Sequence, residues 1–388
     1  MSLFVEYHLI QNFAPSNLNR DDTGSPKDAL FGGHRRARVS SQCSKKSMRD
    51  WFKSSDLLDS DVVGTRTRHL DNLLASELKE IGLSDISMFN EIVKQALKKK
   101  EKKGEQEKKE GKEDEGKLLS YLLFISMPEV QAFKALVQKH KDEIVKLATK
   151  KKIKPSDISD SLKSQIKECL AKSRAVDIAL FGRMLADLPE VNQHAACQVA
   201  HSLSTHRVER DFDYFTAVDD EGGPDETGAG MIGQVEFNSA TFYRYAVVDT
   251  RKLLGNLQGD AELNLSALEA FTQAMARAIP TGKQNSFAAH NPPSFIGVCL
   301  RHGSPLNLAN AFEKPVTPRL DSSLTERSVK ELADYETRLA PIYADARDTW
   351  AYIDASDAWP ASKGQRVANL DELARWVRQQ VSAQLEAA

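Results

Sequence analysis

An α+β fold is predicted by three observations. Period-two hydrophobic patterning opens the chain, helical periodicity takes over from about Arg66 to Leu170, and strand character returns in two long runs joined by a polar tip. The 388 residues leave room for two or three domains, or one body with large insertions. Lys and Arg total 53 against 55 Asp and Glu, and the net charge of -2 excludes a protein whose whole surface is basic. Any nucleic-acid contact must be local. No window nears the roughly 18 apolar residues of a membrane span, and MSLFVEYHLIQNF lacks the cationic and apolar regions of a signal peptide, so a cytoplasmic chain without membrane contact is expected. Cys43, Cys169, Cys197 and Cys299 lie far apart with no C-x-x-C pair, which supports neither a disulfide framework nor a zinc ribbon.

Residues 2 to 11 place Leu3, Val5, Tyr7 and Leu9 on one face of a first strand. Ala14 to Gly33 carries Pro15, Asn17, Asn19, Asp21, Asp22, Gly24, Pro26, Gly32 and Gly33, turn chemistry too dense for a helix or ladder, and reads as a long functional loop. RRARVS is a second strand, and Ser40 or Ser41 caps a helix through about Phe52, with Met48, Trp51 and Phe52 for its buried face. Within the helical module, the 20 residues from Lys98 to Lys117 hold nine Lys and seven Asp or Glu but no apolar side chain, a composition that reads as a solvated helix extension or flexible loop.

Ala175 to Phe181 reads as a strand, and Arg207 to Val218 with Gln234 to Val248 as the arms of a hairpin whose tip is Asp219 to Gly233. Leu263 to Ile279 is an amphipathic helix, followed by a Pro-Thr-Gly turn and strands at Asn285 to Ala289 and Phe295 to Leu300. From about Leu324 onward the chain reads mostly helical, including Leu370 to Leu385.

The window from Ala29 to Arg49 holds His34, Arg35, Arg36, Arg38, Lys45, Lys46 and Arg49 and no acidic residue. Arg36 and Arg38 share one strand face and Arg35 takes the other, while Lys45 and Arg49 share a helix face at i, i+4. Ser40, Ser41 and Gln42 sit where a helix N-terminus presents free N–H groups to an anion. The cluster fits either a phosphate-binding stripe or solvated faces paired with acids elsewhere, and spacing alone does not choose between them. Thr281, Gly282, Lys283, Gln284 and Asn285 form a small basic turn of the kind that approaches phosphate closely. Tyr214, Phe215, Thr216 and Ile232 lie on the hairpin, where exposed aromatics stack on bases and packed ones build a core. No HExxH, GxSxG or P-loop pattern appears. Asp21 and Asp22 are the one acidic pair in the loop beside the basic window, available to hold a metal over phosphate or to make turn contacts.

These blocks carry a resemblance. Pro15 to Asp22 (PSNLNRDD), Lys27 to Gly33 (KDALFGG) and Arg35 to Gln42 (RRARVSSQ) resemble the CasC family, the repeated backbone subunit of the type I-E CRISPR Cascade complex. Val176 to Met184, Phe215 to Asp220, Phe242 to Ala246 and Asn307 to Lys314 resemble it in the same order, while the helical insertion and the C-terminal helices match only loosely. The resemblance implies an RRM-like (ferredoxin-like) palm, a helical fingers insertion and a β-hairpin thumb in a right-hand shape. The corresponding segments are palm at 1–60, fingers at 61–173, palm at 174–204, thumb at 205–236, and palm with C-terminal helices at 237–388.

It further implies a non-catalytic antiviral-defence scaffold, without metal or cofactor, that polymerises along CRISPR RNA and presents it to target DNA. Its partners would be neighbouring copies, other Cascade subunits and a recruited helicase-nuclease. By the same resemblance Arg20, Lys45, Arg49 and Ser40 to Gln42 line the guide backbone, and Lys27 and Lys283 fall in matching blocks. Tyr214, Phe215 and Thr216 match a thumb segment near a displaced nucleotide, with Tyr214 in place of a commoner Trp. Met184 and Ile232 stand at apolar wedges, and His34 replaces a usual Lys. The alternative is a metal-dependent target-RNA ribonuclease of the related RNA-targeting CRISPR backbone type, with Asp21 or Asp22 as catalytic carboxylate.

Overall fold

The computed structural model describes residues 3–98, 119, 122–150, 152–171, 173–185, 189–217 and 231–386. The chain runs through β1 (Phe4–Ser16), β2 (Asp28–Phe31), β3 (His34–Val39) and α1 (Ser41–Ser54). It continues with β4 (Thr65–Thr67), α2 (Leu70–Leu73), α3 (Ala75–Glu80), α4 (Met88–Leu97), β5 (Leu123–Ile125), α5 (Met127–Lys139), α6 (Lys141–Ala148), α7 (Asp160–Leu170) and α8 (Val176–Phe181). Next come β6 (Cys197–Val199), β7 (Ser202–Ser204), β8 (Asp211–Ala217), β9 (Met231–Asp249), α9 (Thr250–Asn256), α10 (Ala261–Arg277) and α11 (Gln284–Phe287). The chain closes with β10 (Phe295–Arg301), α12 (Leu324–Tyr343), β11 (Thr349–Asp354), β12 (Gln365–Arg366) and α13 (Leu370–Glu386).

Two compact units result, one of Met1–Leu57, Cys197–Arg251 and Asn264–Ala388, the other of Leu58–Ala196 and Lys252–Leu263. The first is built on a ten-stranded sheet of order β12-β11-β10-β1-β9-β7-β3-β2, with β6 and β8 also paired to β9. Its pairings are antiparallel except for β11 with β12. The alternating pattern that predicts β1 has a further consequence at the sheet's centre. Val5, Tyr7 and Leu9 are buried on one face, but so are Glu6, His8 and Ile10 on the other. A carboxylate in such a place needs partners. Glu6 accepts from Arg301 Nε at 2.9 Å and from the Tyr245 hydroxyl at 3.0 Å, and Arg301 also donates to Asp348 at 2.7 Å.

The second unit is helical, as the periodicity predicts. Leu70, Leu74 and Leu78 bury one stripe against Phe89, Phe133, Val137, Ile144, Leu162 and Ile166, beside the β4–β5 pair. Its polar centre is Glu129, which accepts from the Ser126 N–H at 2.7 Å and from Arg183 at 2.6 Å. No helix among the described residues is long and apolar enough to cross a membrane.

Several expectations are corrected. Ala175 to Phe181 forms α8 rather than a strand. An unbroken apolar run does not reveal its period, and Asp177 inside it is buried, accepting the Gly64 N–H at 2.8 Å. Asn285 to Ala289 is not a strand either, because Lys283 (φ 51°) and Ala288 (φ 45°) adopt left-handed conformations at the two ends of α11. The Ala14 to Gly33 segment is shorter as a loop than its composition suggests, since β1 runs to Ser16 and β2 begins at Asp28. Strands β11 and β12 interrupt the helical C-terminal part. Residues 174–196, expected to return to the sheet body, cluster with the helical unit. Of the charged segment, 99–117 lie outside the described residues, as do 218–230 of the hairpin tip.

Candidate nucleic-acid interface

In the sheet unit, the basic elements are brought together by the loop from Asn17 to Lys27. Asn19 Oδ1 accepts the Ser40 N–H at 2.9 Å, and its carbonyl accepts the Lys27 N–H at 2.9 Å. Ser40 caps α1 as the sequence predicts, its hydroxyl accepting from the Cys43 N–H at 3.3 Å, and the first turn of α1 carries no acidic residue. Its leading N–H groups have no partner within the helix. At the other end of the loop, Asn17 Nδ2 donates to the carbonyls of Gly24 (3.0 Å) and Glu236 (2.8 Å), tying the loop to β9.

The Thr281 to Lys283 turn closes on the same loop. A Cβ added at Gly282 would stand 2.4 Å from the Leu18 carbonyl oxygen, so only glycine permits this backbone-to-backbone approach. The Arg20 loop, the α1 N-terminus and the Lys283 turn therefore converge around residues 17–19. Gly282→Ala is expected to push the turn from the loop at a cost of about 1–3 kcal/mol, read as a lowered denaturant midpoint with unchanged m-value.

The basic window sorts into several kinds of side chain. Arg20 and His34 are exposed, Lys27, Lys45 and Lys283 half-buried. Arg35 pairs with Asp28 on the surface, and Lys46 with Asp50 at 2.5 Å. Arg38 donates to the Asp28 carbonyl at 3.1 Å and approaches His201 Nδ1 at 3.0 Å. Partial burial, then Arg38 and Lys27, push the His201 ring below its ordinary pKa, and its Nδ1 accepts from the Arg38 guanidinium, which can only donate.

Arg36 corrects the reading most. It is fully buried, its guanidinium donating to the carbonyls of Ser204 (2.9 Å), Phe312 (2.7 Å) and Glu313 (3.1 Å), with the Phe31 ring beneath it. It is a core residue, not a phosphate ligand. Arg49, which the resemblance sets along the guide backbone, is buried as well, at 6% exposure. Gln284 Nε2 turns back to the Pro280 carbonyl at 2.9 Å, so its amide holds the turn rather than reaching outward.

Asp28 and Arg210 escaped the sequence reading. Asp28 lies one residue outside the acid-free window, and its carboxylate takes Arg35 and also Arg210 (2.6 Å), which in turn holds Glu236 at 2.9 Å. Partial burial raises the Asp28 carboxyl, but Arg210 and Arg35 outweigh it and keep it below the usual carboxylate value. Asp21 is equally committed. Its Oδ1 accepts from Thr23 Oγ1 (2.7 Å), the Thr23 N–H (3.0 Å) and the Ser25 N–H (3.0 Å), so this carboxylate builds the turn. Among the described residues no three His, Cys, Asp or Glu side chains gather as a metal site would require.

On the hairpin, Tyr214, Phe215 and Thr216 are exposed, but they do not act as one surface. Tyr214 and Thr216 share a face with Phe212, which the sequence reading passed over, and Phe212 and Tyr214 are 54% and 70% exposed. Phe215 takes the other face and lies across Gly233 of the partner strand, where a Cβ would meet its ring at 2.2 Å. Alternation from Tyr214 could have found Phe212. Ile232 pairs with Thr216 in register, and its side chain lies outside the described residues. Met184 belongs to the helical unit and is 82% exposed.

A large antiparallel sheet with a helical unit in the same chain, and basic turns gathered at one end of a strand, is an architecture shared with chains of known complexes. One solved structure, titled a CRISPR RNA-guided surveillance complex, pre-nicking, matches with a TM-score of 0.83 and 33% identity over 97% of this chain and 99% of that one. A second, titled a CRISPR RNA-guided surveillance complex, matches with a TM-score of 0.72 and 28% identity over the same shares. The profile of the CT1975-like protein family matches residues 5–377, and the chain belongs to that family. No curated protein matches.

Proposed function

We propose that this protein is a backbone subunit of a CRISPR RNA-guided surveillance complex, of type I-E, that binds CRISPR RNA by its sugar-phosphate backbone. The observation that carries this reading is the convergence of Arg20, the α1 N-terminus and Lys283 on one loop, in a chain similar along 97% of its length to a chain of such a complex. A subunit that holds a guide of any sequence must grip phosphate and sugar and leave base edges free. Arginine, lysine and a helix N-terminus do this without reading sequence.

In this reading the sheet unit is the RRM-like palm, the helical unit the fingers and the β8–β9 hairpin the thumb. Copies line up along one guide in the cytoplasm, beside other Cascade subunits. The guide pairs with target DNA and a helicase-nuclease is recruited, so this subunit performs no chemistry itself. The near-neutral net charge suits side-by-side packing of copies.

The test is reconstitution with partner subunits and a defined CRISPR RNA, with mass measured by light scattering. Several copies on one full-length guide are expected, and a monomer free of RNA overturns the reading. Arg20→Ala and Lys45→Ala are each expected to flatten the dependence of log affinity on log salt by about 0.7 for every phosphate that is no longer neutralised. An unchanged slope moves the RNA away from the loop at residues 17–19 and the α1 N-terminus.

A further inference from the structure

Strand β9 outruns its support. Its ladder with β1 ends at the pair Ser16 and Asn238, and from there to Met231 it pairs with β8 alone among the described residues. An isolated two-stranded ribbon is marginally stable and twists strongly, so other contacts must set the angle at which it leaves the sheet. Those contacts lie at its root. The chain enters β8 through Val208, buried at 3% exposure, whose N–H donates to the Arg35 carbonyl at 3.0 Å. Two residues later Arg210 spans two elements. One arm of its guanidinium donates to Asp28 Oδ2 at the start of β2 (2.6 Å), the other to Glu236 Oε2 on β9 (2.9 Å).

The three side chains are 23–27% exposed. A single ion pair so placed is worth little, but one planar fork between two carboxylates forms a network with a fixed geometry. The same root holds both ends of the loop that gathers the basic elements. Asn17 Nδ2 donates to the Glu236 carbonyl at 2.8 Å, and Lys27 at the far end runs directly into Asp28. Between those ends stand Arg20 and the Asn19 contact to the α1 N-terminus.

We propose that Arg210 is a positioning residue that ties the β8–β9 hairpin to the RNA-gripping loop and so fixes the offset between that loop and the hairpin along a bound strand, an inference that rests on the proposed function. Arg210 touches no phosphate itself. Its two outer nitrogens are committed to carboxylates, and its Nε is buried without a hydrogen-bond partner. Arg35 also takes Asp28, but from β3, so its removal leaves the link between β2 and the hairpin in place. Lysine, a point charge, reaches one carboxylate at a time and cannot replace the fork.

The experiment labels the full chain with nitroxides at two exposed positions, Asp213→Cys on β8 and Arg375→Cys on α13, and reads their distance distribution by pulsed electron resonance. A control without these substitutions accounts for labelling at the half-buried Cys43. A narrow distribution is expected with Arg210 and a broad, displaced one for Arg210→Ala. Arg210→Lys should fall between, Arg35→Ala should stay narrow, and Glu236→Gln should broaden, which keeps the test decisive if Arg210→Ala fails to fold. Equal widths with and without the Arg210 fork overturn the proposal. The same variants are then reconstituted with partner subunits on guides carrying one 4-thiouridine at successive positions. The β8 peptide should cross-link from a fixed set of positions in the wild type and from a wider set in Arg210→Ala, with the salt slope of RNA binding unchanged. A slope flattened by about 0.7 makes Arg210 a phosphate ligand and overturns the positioning role. RNA retained with identical cross-link positions, or with none from β8, overturns it also and leaves the scaffold reading standing. Wild-type protein that retains no RNA overturns both.

Discussion

Arg36→Met is expected to unfold at markedly lower denaturant than the wild type, with a loss of about 3–5 kcal/mol. The methionine fills most of the volume but donates nothing, so the carbonyls of Ser204, Phe312 and Glu313 lose a shared donor at a buried site. Arg35→Ala, one residue away, is expected to change stability by less than about 1 kcal/mol, because its pair with Asp28 is half-exposed. Urea unfolding of both variants reads the difference. Equal midpoints would show that Arg36 is not the core residue its contacts describe.

Glu6→Gln is expected to cost about 3 kcal/mol at neutral pH, since Arg301 keeps Asp348 but loses its second carboxylate. The cost depends on pH. Burial pushes the Glu6 carboxyl up, but the adjacent His8 ring, Arg301 and the Leu306 N–H outweigh it and hold the folded pKa below the ordinary value. A carboxyl depressed by folding contributes stability that is present above its unfolded pKa and lost as pH falls through the lower folded one. The gap between wild type and Glu6→Gln should therefore close as the pH drops below about 4. A gap that stays constant to acid pH would place the stabilisation outside the charge of Glu6.

Much of this was legible in the residues, and the failures are physical. The Ser40 cap needs only a hydroxyl before a periodic run, and the hairpin arms need only β-rich runs around a polar tip, so both could be read locally. The parity of β3 put Arg36 and Arg38 on one face. No local signal said that this face turns inward, because the carbonyls that receive Arg36 come from residues 168 or more positions away. Asp28 and Arg210 are 182 residues apart, so the neutralisation of part of the basic window was invisible to spacing. Ala175 to Phe181 failed for another reason. A segment buried on all sides shows no period, and tertiary packing decided for helix. On the interface itself, the turn at Gly282 was found by composition, but its target at Leu18 was set by the fold.

Strand β9 has one further consequence. Its nineteen residues, on the order of 60 Å of extended chain, pair with β1 in the body of the sheet and with β8 in the hairpin without a break in the strand. Asn17 and Ser239 brace the point where one pairing gives way to the other, through the carbonyls of Glu236 and Phe13. The hairpin is thus rooted in the sheet through one continuous strand, and a bulge in β1 between Phe13 and Ser16 marks the junction. A force applied at Tyr214 is carried along β9 into the ladder beside β1, entering it across the bulge at Phe13 to Ser16.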